Sequence, residues 1–436
     1  MPKPHPESTR APDLELLTGM VHRKEAFWTA EFRGLQLRTA LQPIYSIAHK
    51  RIVGYEALIR AFDCQDSTIL PQQLFQLPAS TGENLQLDRL CRLLHICNYQ
   101  DCHDPLNWLF LNVSPGVVTG SGKTDSFFGQ LLEKTGLSPH RIVVEIVEEP
   151  TTDADKLREA VAYYKRLGCL TAIDDFGAGH SNFERIWNLS PDIVKLDRSL
   201  LKRATAEPKA RQILNGIVSL LHQSGCLVLV EGVETREQAI LAIDAGADFV
   251  QGFFFRRPTT DLDLATSATT LFEGLLDDYK AQSRVRRDPC GQLQAFFRPY
   301  FLAATKQLCS GLDMPLACRD LLKHQRVCRC YLANSQGVQI EDTLIPESAS
   351  HLLDPRFRPL ENSANADWFR KKYLRQALAQ PETLQITSPY LCVTGAYMCI
   401  TLSQSYYHNG ELKVLCCDIL AHQSHASSDL SRTAQQ

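Results

Sequence analysis

The sequence runs to 436 residues, more than one hydrophobic core usually supports, so two domains are expected. Hydrophobic residues at 44% and charged residues at 22% are ordinary for a globular chain, and a formal net charge of −3 excludes the basic footprint of a protein that binds a nucleic-acid polymer. Residues 1–20 carry prolines and charges unlike a secretory signal, and no apolar run approaches the roughly 18–20 residues of a membrane span, so a cytoplasmic location is expected.

Residues 1–21 read as an N-terminal tail. From about residue 40 to residue 260 one unit recurs, a short apolar run that ends in a polar residue and is followed by a helix-permissive stretch. The runs are 52–56, 108–112, 141–145, 170–175, 192–195, 227–231 and 248–251, ending at Glu56, Asn112, Glu145, Asp174 with Asp175, Lys195, Glu231 and Gln251. They are rich in Val, Ile, Leu and Phe and lack polar alternation, as parallel strands buried on both faces do. Amphipathic stretches such as 154–167 and 210–224 fall between them. Repeated strand–helix units over this length predict an α/β fold, a TIM-like (β/α)8 barrel over 22–270, in which strand C-termini converge on one mouth.

After Pro258 the pattern fades. Residues 271–289 read as a charged linker helix, 290–420 as a smaller α+β domain and 421–436 as a disordered tail. Asn409-Gly410 between two apolar-rich runs predicts a hairpin, because both residues tolerate positive φ. The fifteen cysteines form no CxxC pair and read as reduced, buried thiols. Two clusters stand out, Cys328 with Cys330 and Cys416 with Cys417, but neither has the spacing of a zinc site.

The strand ends carry the chemistry. Five carboxylates, Glu56, Glu145, Asp174, Asp175 and Glu231, together with the amide of Asn112, cannot share a dry cavity without cations. Hard oxygen donors, with no histidine at a strand end, select Mg²⁺ or Mn²⁺ over zinc. Adjacent aspartates can each reach a different ion or bridge two, as in a two-metal hydrolase. Lys195 would position the attacking water or neutralise developing charge. Taken singly, the same residues have plainer readings: Glu56 as an ion pair with Arg60, Asp174-Asp175 as a helix cap or turn, Lys195 as a solvated strand end. Asp197 and Glu234 read as hydrogen-bonding and loop residues, and His180 as a loop residue.

In order along the chain stand YEALIR, LNVS, EIVE, DDFGAGHS, VKLD, EGVE and VQGF. This set resembles the EAL-domain phosphodiesterases of bacteria over about residues 22–265. The resemblance implies hydrolysis of cyclic di-GMP to linear pGpG with Mg²⁺ or Mn²⁺, as two ions, in a homodimer. It implies metal ligation by Glu56, Asn112, Glu145, Asp174, Asp175 and Glu231, with Glu56, Lys195 and Glu231 in catalysis. Leu58, Arg60 and Gln251 fall at substrate-binding positions, and Glu148 at the position that steadies the DDFGAGHS loop. Val147 departs from the usual threonine. The alternative is a catalytically weak cyclic di-GMP receptor that signals through protein contacts. Within 290–420 the stretches DWFRKKYLRQAL, ITSPYL and VTGAYMCITLSQSYYHNGELKVLCCDI, in that order, resemble Cache and PAS-like sensor domains, implying a small-molecule pocket that includes Trp368, Arg370, Tyr390 and Asp418, and regulation of the barrel. The alternative is a dimerisation module.

Overall fold

The structure is a computed structural model that describes residues 14–25, 27–102, 106–113, 127–146, 154–178, 183–261, 269–285, 289–352, 363, 365–392 and 397–421, with side chains omitted at 269–271, 283–285, 289–290 and 351–352. The chain divides into two compact units, 1–282 and 283–436.

In the first unit, strands β1 (Val21–Lys24) and β2 (Phe27–Phe32) form a hairpin that leads into β3 (Leu35–Ser46) and β4 (Arg51–Phe62), with β5 (Thr68–Ile69) paired to the far end of β4. Then β6 (Trp108–Val113), β7 (Ile142–Ile146), β8 (Leu170–Phe176), β9 (Ile193–Leu196), β10 (Leu227–Val230) and β11 (Phe249–Val250) follow, each reached through at least one helix. Neighbours β4, β6, β7, β8, β9, β10 and β11 pair in parallel, and β3 closes the ring by pairing antiparallel with both β11 and β4. The barrel is therefore TIM-like with eight strands, and all seven predicted runs lie on its parallel strands. It departs from a regular (β/α)8 barrel in one respect: β3 enters β4 through a tight turn, with no helix between them. Glu56 also does not end its strand, since β4 continues to Phe62.

Inside the barrel one apolar layer takes a residue from nearly every strand: Ile44, Phe110, Val143, Ala172, Ile193, Leu229 and Phe249. Strand β4 contributes Gly54 at this level, where a Cβ would lie 2.7 Å from the Phe110 ring, so that ring fills the space glycine leaves. The helices Thr81–Asp101, Phe127–Thr135, Ala154–Leu167, Pro208–Gln223 and Arg236–Ala245 cover the outside, with apolar faces buried in two outer clusters. Part of the stretch read as a tail is helical, and helix Leu14–Met20 buries Leu14 and Leu17 in the outer core. The stretch read as a linker is helical over Thr269–Val285, and it seats Phe272 and Leu275 against the barrel, Phe272 stacked on Phe255 at 5.3 Å. Among the described residues no helix is long and apolar enough to cross a membrane.

The second unit is a five-stranded antiparallel sheet of β12 (Val327–Asn334), β13 (Gln385–Ile386), β14 (Tyr390–Leu391), β15 (Met398–His408) and β16 (Glu411–Leu420), in the order β12-β16-β15-β13 with β14 also paired to β15. Asn409 and Gly410 make the predicted hairpin, with φ of 49° and 81°. One sheet face packs Cys330, Leu332, Ile400, Leu415 and Cys417 on helix Pro289–Cys309; the other packs Tyr331, Val414 and Cys416 on helix Lys372–Ala379. The described cysteines are free thiols, most of them buried.

Candidate active site

Side chains two residues apart on a strand share a face. Two residues beyond the apolar layer, every parallel strand presents a polar group to the interior: Glu56, Asn112, Glu145, Asp174, Lys195, Glu231 and Gln251. Strand β3 runs the other way, and its residue at this level is Gln42, two before Ile44. The site is thus a ring of eight polar residues, one per strand, on an apolar floor.

Lys195 stands at the centre, 1% exposed, with Nζ 2.6 Å from Glu145 Oε1, 2.7 Å from Glu231 Oε1, 3.1 Å from Asp174 Oδ1 and 3.7 Å from Glu56 Oε1. Burial alone would lower its pKa, but Asp174, Glu145, Glu231 and Glu56 together outweigh burial and hold it well above the ordinary lysine value. Burial pushes Glu145 well above the carboxylate range; Lys195 opposes that shift and the neighbouring acids add to it. Glu231 is pushed up to about 8, by burial first, against Lys195 and with Asp174 and Glu56. The other side of the ring is hydrogen-bonded. Gln251 Nε2 donates to Glu56 Oε2 at 2.6 Å and to Gln42 Oε1 at 3.1 Å, and Asn112 Nδ2 donates to Glu56 Oε1 at 3.2 Å.

Asp175 lies beyond the ring. The β8–β9 register shifts between Ile173 and Phe176, and Asp175 adopts φ of 54°, which turns its side chain to the exposed rim. Its amide donates to Asp174 Oδ1 at 3.0 Å. One carboxylate oxygen from each of Asp174, Asp175 and Glu231 lies within 4.8 Å of the others. Glu145 is fully buried; Lys195 Nζ meets its Oε1 at 2.6 Å, while Oε2 has no hydrogen-bond donor among the described residues. A buried carboxylate with an unsatisfied oxygen, beside three more that converge, fits a divalent cation with oxygen ligands.

A cavity of about 170 Å³ opens above the ring and is lined also by Arg198, Glu234, Gly252 and Phe253. Gly252 is required there: a Cβ would lie 2.1 Å from the Val233 carbonyl oxygen. The close approach lets Val233 N donate to Gln251 O and Phe254 N to Val233 O, which fixes Gln251 at the ring. Phe253 is 48% exposed, with the Arg257 guanidinium 4.3 Å from its ring centre.

Leu58 and Arg60 share the face of Glu56 and lie successively farther out along β4. Among the described residues Arg60 has no carboxylate within ion-pair distance; its guanidinium donates to the Ile59 carbonyl, and burial lowers its pKa against the field of Glu56. The reading of Glu56 and Arg60 as an ion pair is therefore overturned, and so is that of Lys195 as a solvated strand end. Asp197 caps helix Arg198–Ala206, accepting from Ser199 N at 2.9 Å. Glu148, Val147 and His180 lie outside the described residues. Sequence reasoning missed Gln42 and Arg198. Gln42 carried the same signal as the others, a polar residue in an apolar strand, but β3 lacks the strand–helix context that drew attention to them.

In the second unit Trp368, Tyr390 and Asp418 gather around a buried arginine that the sequence reading did not name. Arg329 Nε donates to Asp418 Oδ2 at 2.6 Å, and its guanidinium lies 5.0 Å from the Tyr331 ring and 5.6 Å from Trp368. Thr401 donates to Asp418 Oδ1 at 2.6 Å, which leaves Tyr390 OH to donate to Thr401 at 2.7 Å. Arg370 is exposed.

Fold and site define a TIM-like barrel with one antiparallel strand and an acidic, lysine-centred mouth. The EAL domain family model matches residues 27–258, and the chain belongs to that family. It is 26% identical over 389 residues to the uncharacterized EAL-domain containing protein YkuI of Bacillus subtilis, covering 84% of this chain and 94% of that one. The solved structure of YkuI, in complex with substrate c-di-GMP and calcium, superposes with a TM-score of 0.72 over 88% of this chain and 96% of that one; at 22% identity the likeness is one of fold. The cyclic di-GMP phosphodiesterase RocR of Pseudomonas aeruginosa is 32% identical over 155 residues, 35% of this chain and 39% of its own. The chain likewise spans only 27% of the signaling protein YkoW of Bacillus subtilis.

Proposed function

We propose that this protein is a divalent-metal-dependent phosphodiesterase that opens cyclic di-GMP to linear pGpG. The observation that carries the reading is Glu145, a fully buried carboxylate whose Oε2 has no hydrogen-bond donor among the described residues, set in a ring with Glu56, Asp174 and Glu231. Family membership and the activity named for RocR and for PdeL of Escherichia coli support the substrate.

Glu56, Asn112, Glu145, Asp174, Asp175 and Glu231 would hold two Mg²⁺ or Mn²⁺ ions. Bound there, such ions supply Lewis acidity toward a phosphodiester and an activated water. The chain's own groups do the rest. Lys195 holds the carboxylates together and offsets charge that builds on the phosphate. Glu231 would act as a metal ligand or as the proton acceptor. Gln251 and Asn112 orient Glu56. Arg60 and Leu58, on the same face of β4, would meet the nucleotide, with Arg60 toward a phosphate. Glu148 would steady the loop after β8.

The reading includes a cytoplasmic homodimer. Helix Phe183–Leu189, which follows β8, exposes Phe183 by 41% and Trp187 by 81% on one face, and that supports an interface there. In this reading the barrel, placed over 22–270 from the sequence, also takes in the helix Leu14–Met20 and residues Phe272 and Leu275, and 290–420 is a Cache- or PAS-like domain that regulates it. The aromatic and charged group around Arg329 supports a sensory role.

The test is incubation of the full chain with cyclic di-GMP and Mg²⁺ or Mn²⁺, with product analysis. pGpG is expected, and Glu56→Ala should abolish it while the fold is kept. Binding without pGpG would establish the receptor reading instead, and undiminished hydrolysis by Glu56→Ala would sink the site assignment.

A further inference from the structure

A second cluster of ligating groups lies in the sheet of the second unit. The thiols of Cys392 and Cys399 and a carboxylate oxygen of Asp418 lie within 4.8 Å of one another, and all three residues are buried. They come from three segments. Asp418 is on β16; Cys399, on β15, pairs with Leu420, two residues along from Asp418, and so shares its face; Cys392 follows β14 and bonds through its amide to the Tyr397 carbonyl. A fourth donor stands beside them. The β12–β16 register shifts between Val327, opposite Ile419, and Arg329, opposite Asp418, which makes Cys328 the extra residue of a bulge. A bulge re-aims a side chain, and Cys328 sits one residue from Arg329, the partner of Asp418, with its thiol donating to the Arg326 carbonyl at 3.7 Å.

We propose that this cluster binds one soft divalent cation of the zinc class, with Cys392, Cys399 and Asp418 as ligands and Cys328 as the fourth. Zinc–sulfur bonds of about 2.3 Å and zinc–oxygen bonds of about 2.0–2.2 Å set tetrahedral donor separations of about 3.5–3.8 Å, inside the 4.8 Å envelope that Cys392, Cys399 and Asp418 occupy; Cys328 completes the set by turning its thiol from the Arg326 carbonyl. The next layer is also in place. Asp418 is held on one oxygen by Arg329 and on the other by Thr401, both at 2.6 Å, as ligating carboxylates usually are. Three thiolates and a carboxylate bring four negative charges, against two on the ion and one on Arg329, so the buried site keeps a single net negative charge. Without a cation the thiols stay protonated: burial, with Asp418 and Cys392, pushes Cys328 up to about 12, and Cys392 and burial push Cys399 well above the thiol range. Binding releases those protons to solvent, so affinity rises with pH.

The site differs in kind from the barrel mouth, which offers oxygen and no sulfur. Cobalt(II) separates them, because only thiolate ligation gives an intense near-ultraviolet sulfur-to-cobalt band. The experiment titrates reduced, metal-free, full-length protein with Co²⁺. The expected result is that band, saturating at one ion per chain, displaced by Zn²⁺, present in Glu145→Gln and lost in Cys392→Ser/Cys399→Ser. Circular dichroism monitors folding of the double variant, and the milder Cys328→Ser gives a second reading, with affinity at least about tenfold weaker. No sulfur band in the wild-type chain, or a band unchanged in both cysteine variants, overturns the assignment.

Discussion

Replacing Lys195 with methionine keeps the side-chain length and removes the charge that the carboxylates share. Its Nζ lies 2.6, 2.7, 3.1 and 3.7 Å from oxygens of Glu145, Glu231, Asp174 and Glu56. At an effective dielectric of about 20, each contact is worth about 4–6 kcal/mol before desolvation is subtracted. Desolvating a buried ammonium cancels much of that sum. Glu145 and Glu231 also take up protons once the cation is gone, because burial already pushes both upward. The expected net loss is about 3–5 kcal/mol, the usual cost of breaking a buried ion pair. For a unit of this size that is a fall of roughly 6–20 °C in melting temperature. Thermal melts of wild type and Lys195→Met in chelator, at pH 8 and pH 6, measure it. The gap should be widest at pH 8 and narrow at pH 6, where the acids of the variant protonate more fully. A variant that melts within about 2 °C of wild type at pH 8 would refute the idea that this lysine holds the acids together.

The wild-type chain in chelator should have its own pH profile. Glu231, about 8 when folded and near its ordinary 4.5 when unfolded, binds more protons in the folded state, so its contribution to stability is lost as pH rises through that interval. Urea midpoints from pH 5.5 to 8.5 should decline and should flatten with Mn²⁺; a rise would contradict the assignment. His95 acts at the acid end. Burial and Arg60 push it down to about 3, so stability falls as pH drops below about 6.5, and His95→Gln should lose that part of the slope. Gly252→Ala drives a Cβ to 2.1 Å from the Val233 carbonyl oxygen, and a loss of about 1–3 kcal/mol in the barrel transition is expected; an unchanged midpoint would mean that this contact is loose. Arg329→Met strands Asp418 in the core of the second unit and should cost about 3–5 kcal/mol, most of it regained in Arg329→Met/Asp418→Leu. A double variant no more stable than the single one would show that the pair matters for more than its charge.

Much of the first unit was legible in the chain because strands buried on both faces are nearly continuous apolar runs, so a polar residue within one is conspicuous. That contrast alone picked out Glu56, Asn112, Glu145, Asp174, Lys195, Glu231 and Gln251, and their order along the chain matched the family. The eighth strand was harder to read. Leu35–Ser46 mixes polar and apolar residues, runs antiparallel and turns straight into β4, so nothing in its periodicity marked Gln42 as the remaining member of the ring. Strand geometry by itself also bears on Arg60: four residues along a strand span about 13 Å, too far from Glu56 for an ion pair.

Other features depend on distances between segments that no local pattern encodes. Closure of the barrel brings Lys195 within reach of four carboxylates from four other strands, and the balance of burial and surrounding charge there raises the pKa values of Glu145, Glu231 and Lys195. Irregular pairing, not sequence, lifts Asp175 to the rim of the mouth and makes Cys328 the extra residue of a bulge in the strand beside Asp418. In the second unit the cysteines adjacent in sequence alternate across the sheet, so Cys416 and Cys417 face opposite cores, while Cys392 and Cys399 converge on Asp418. Sequence determined which residues are conspicuous, because burial penalises polarity wherever it falls. Tertiary structure decided which of them meet, because pairing and closure set the separations on which their charges and ligand geometry depend.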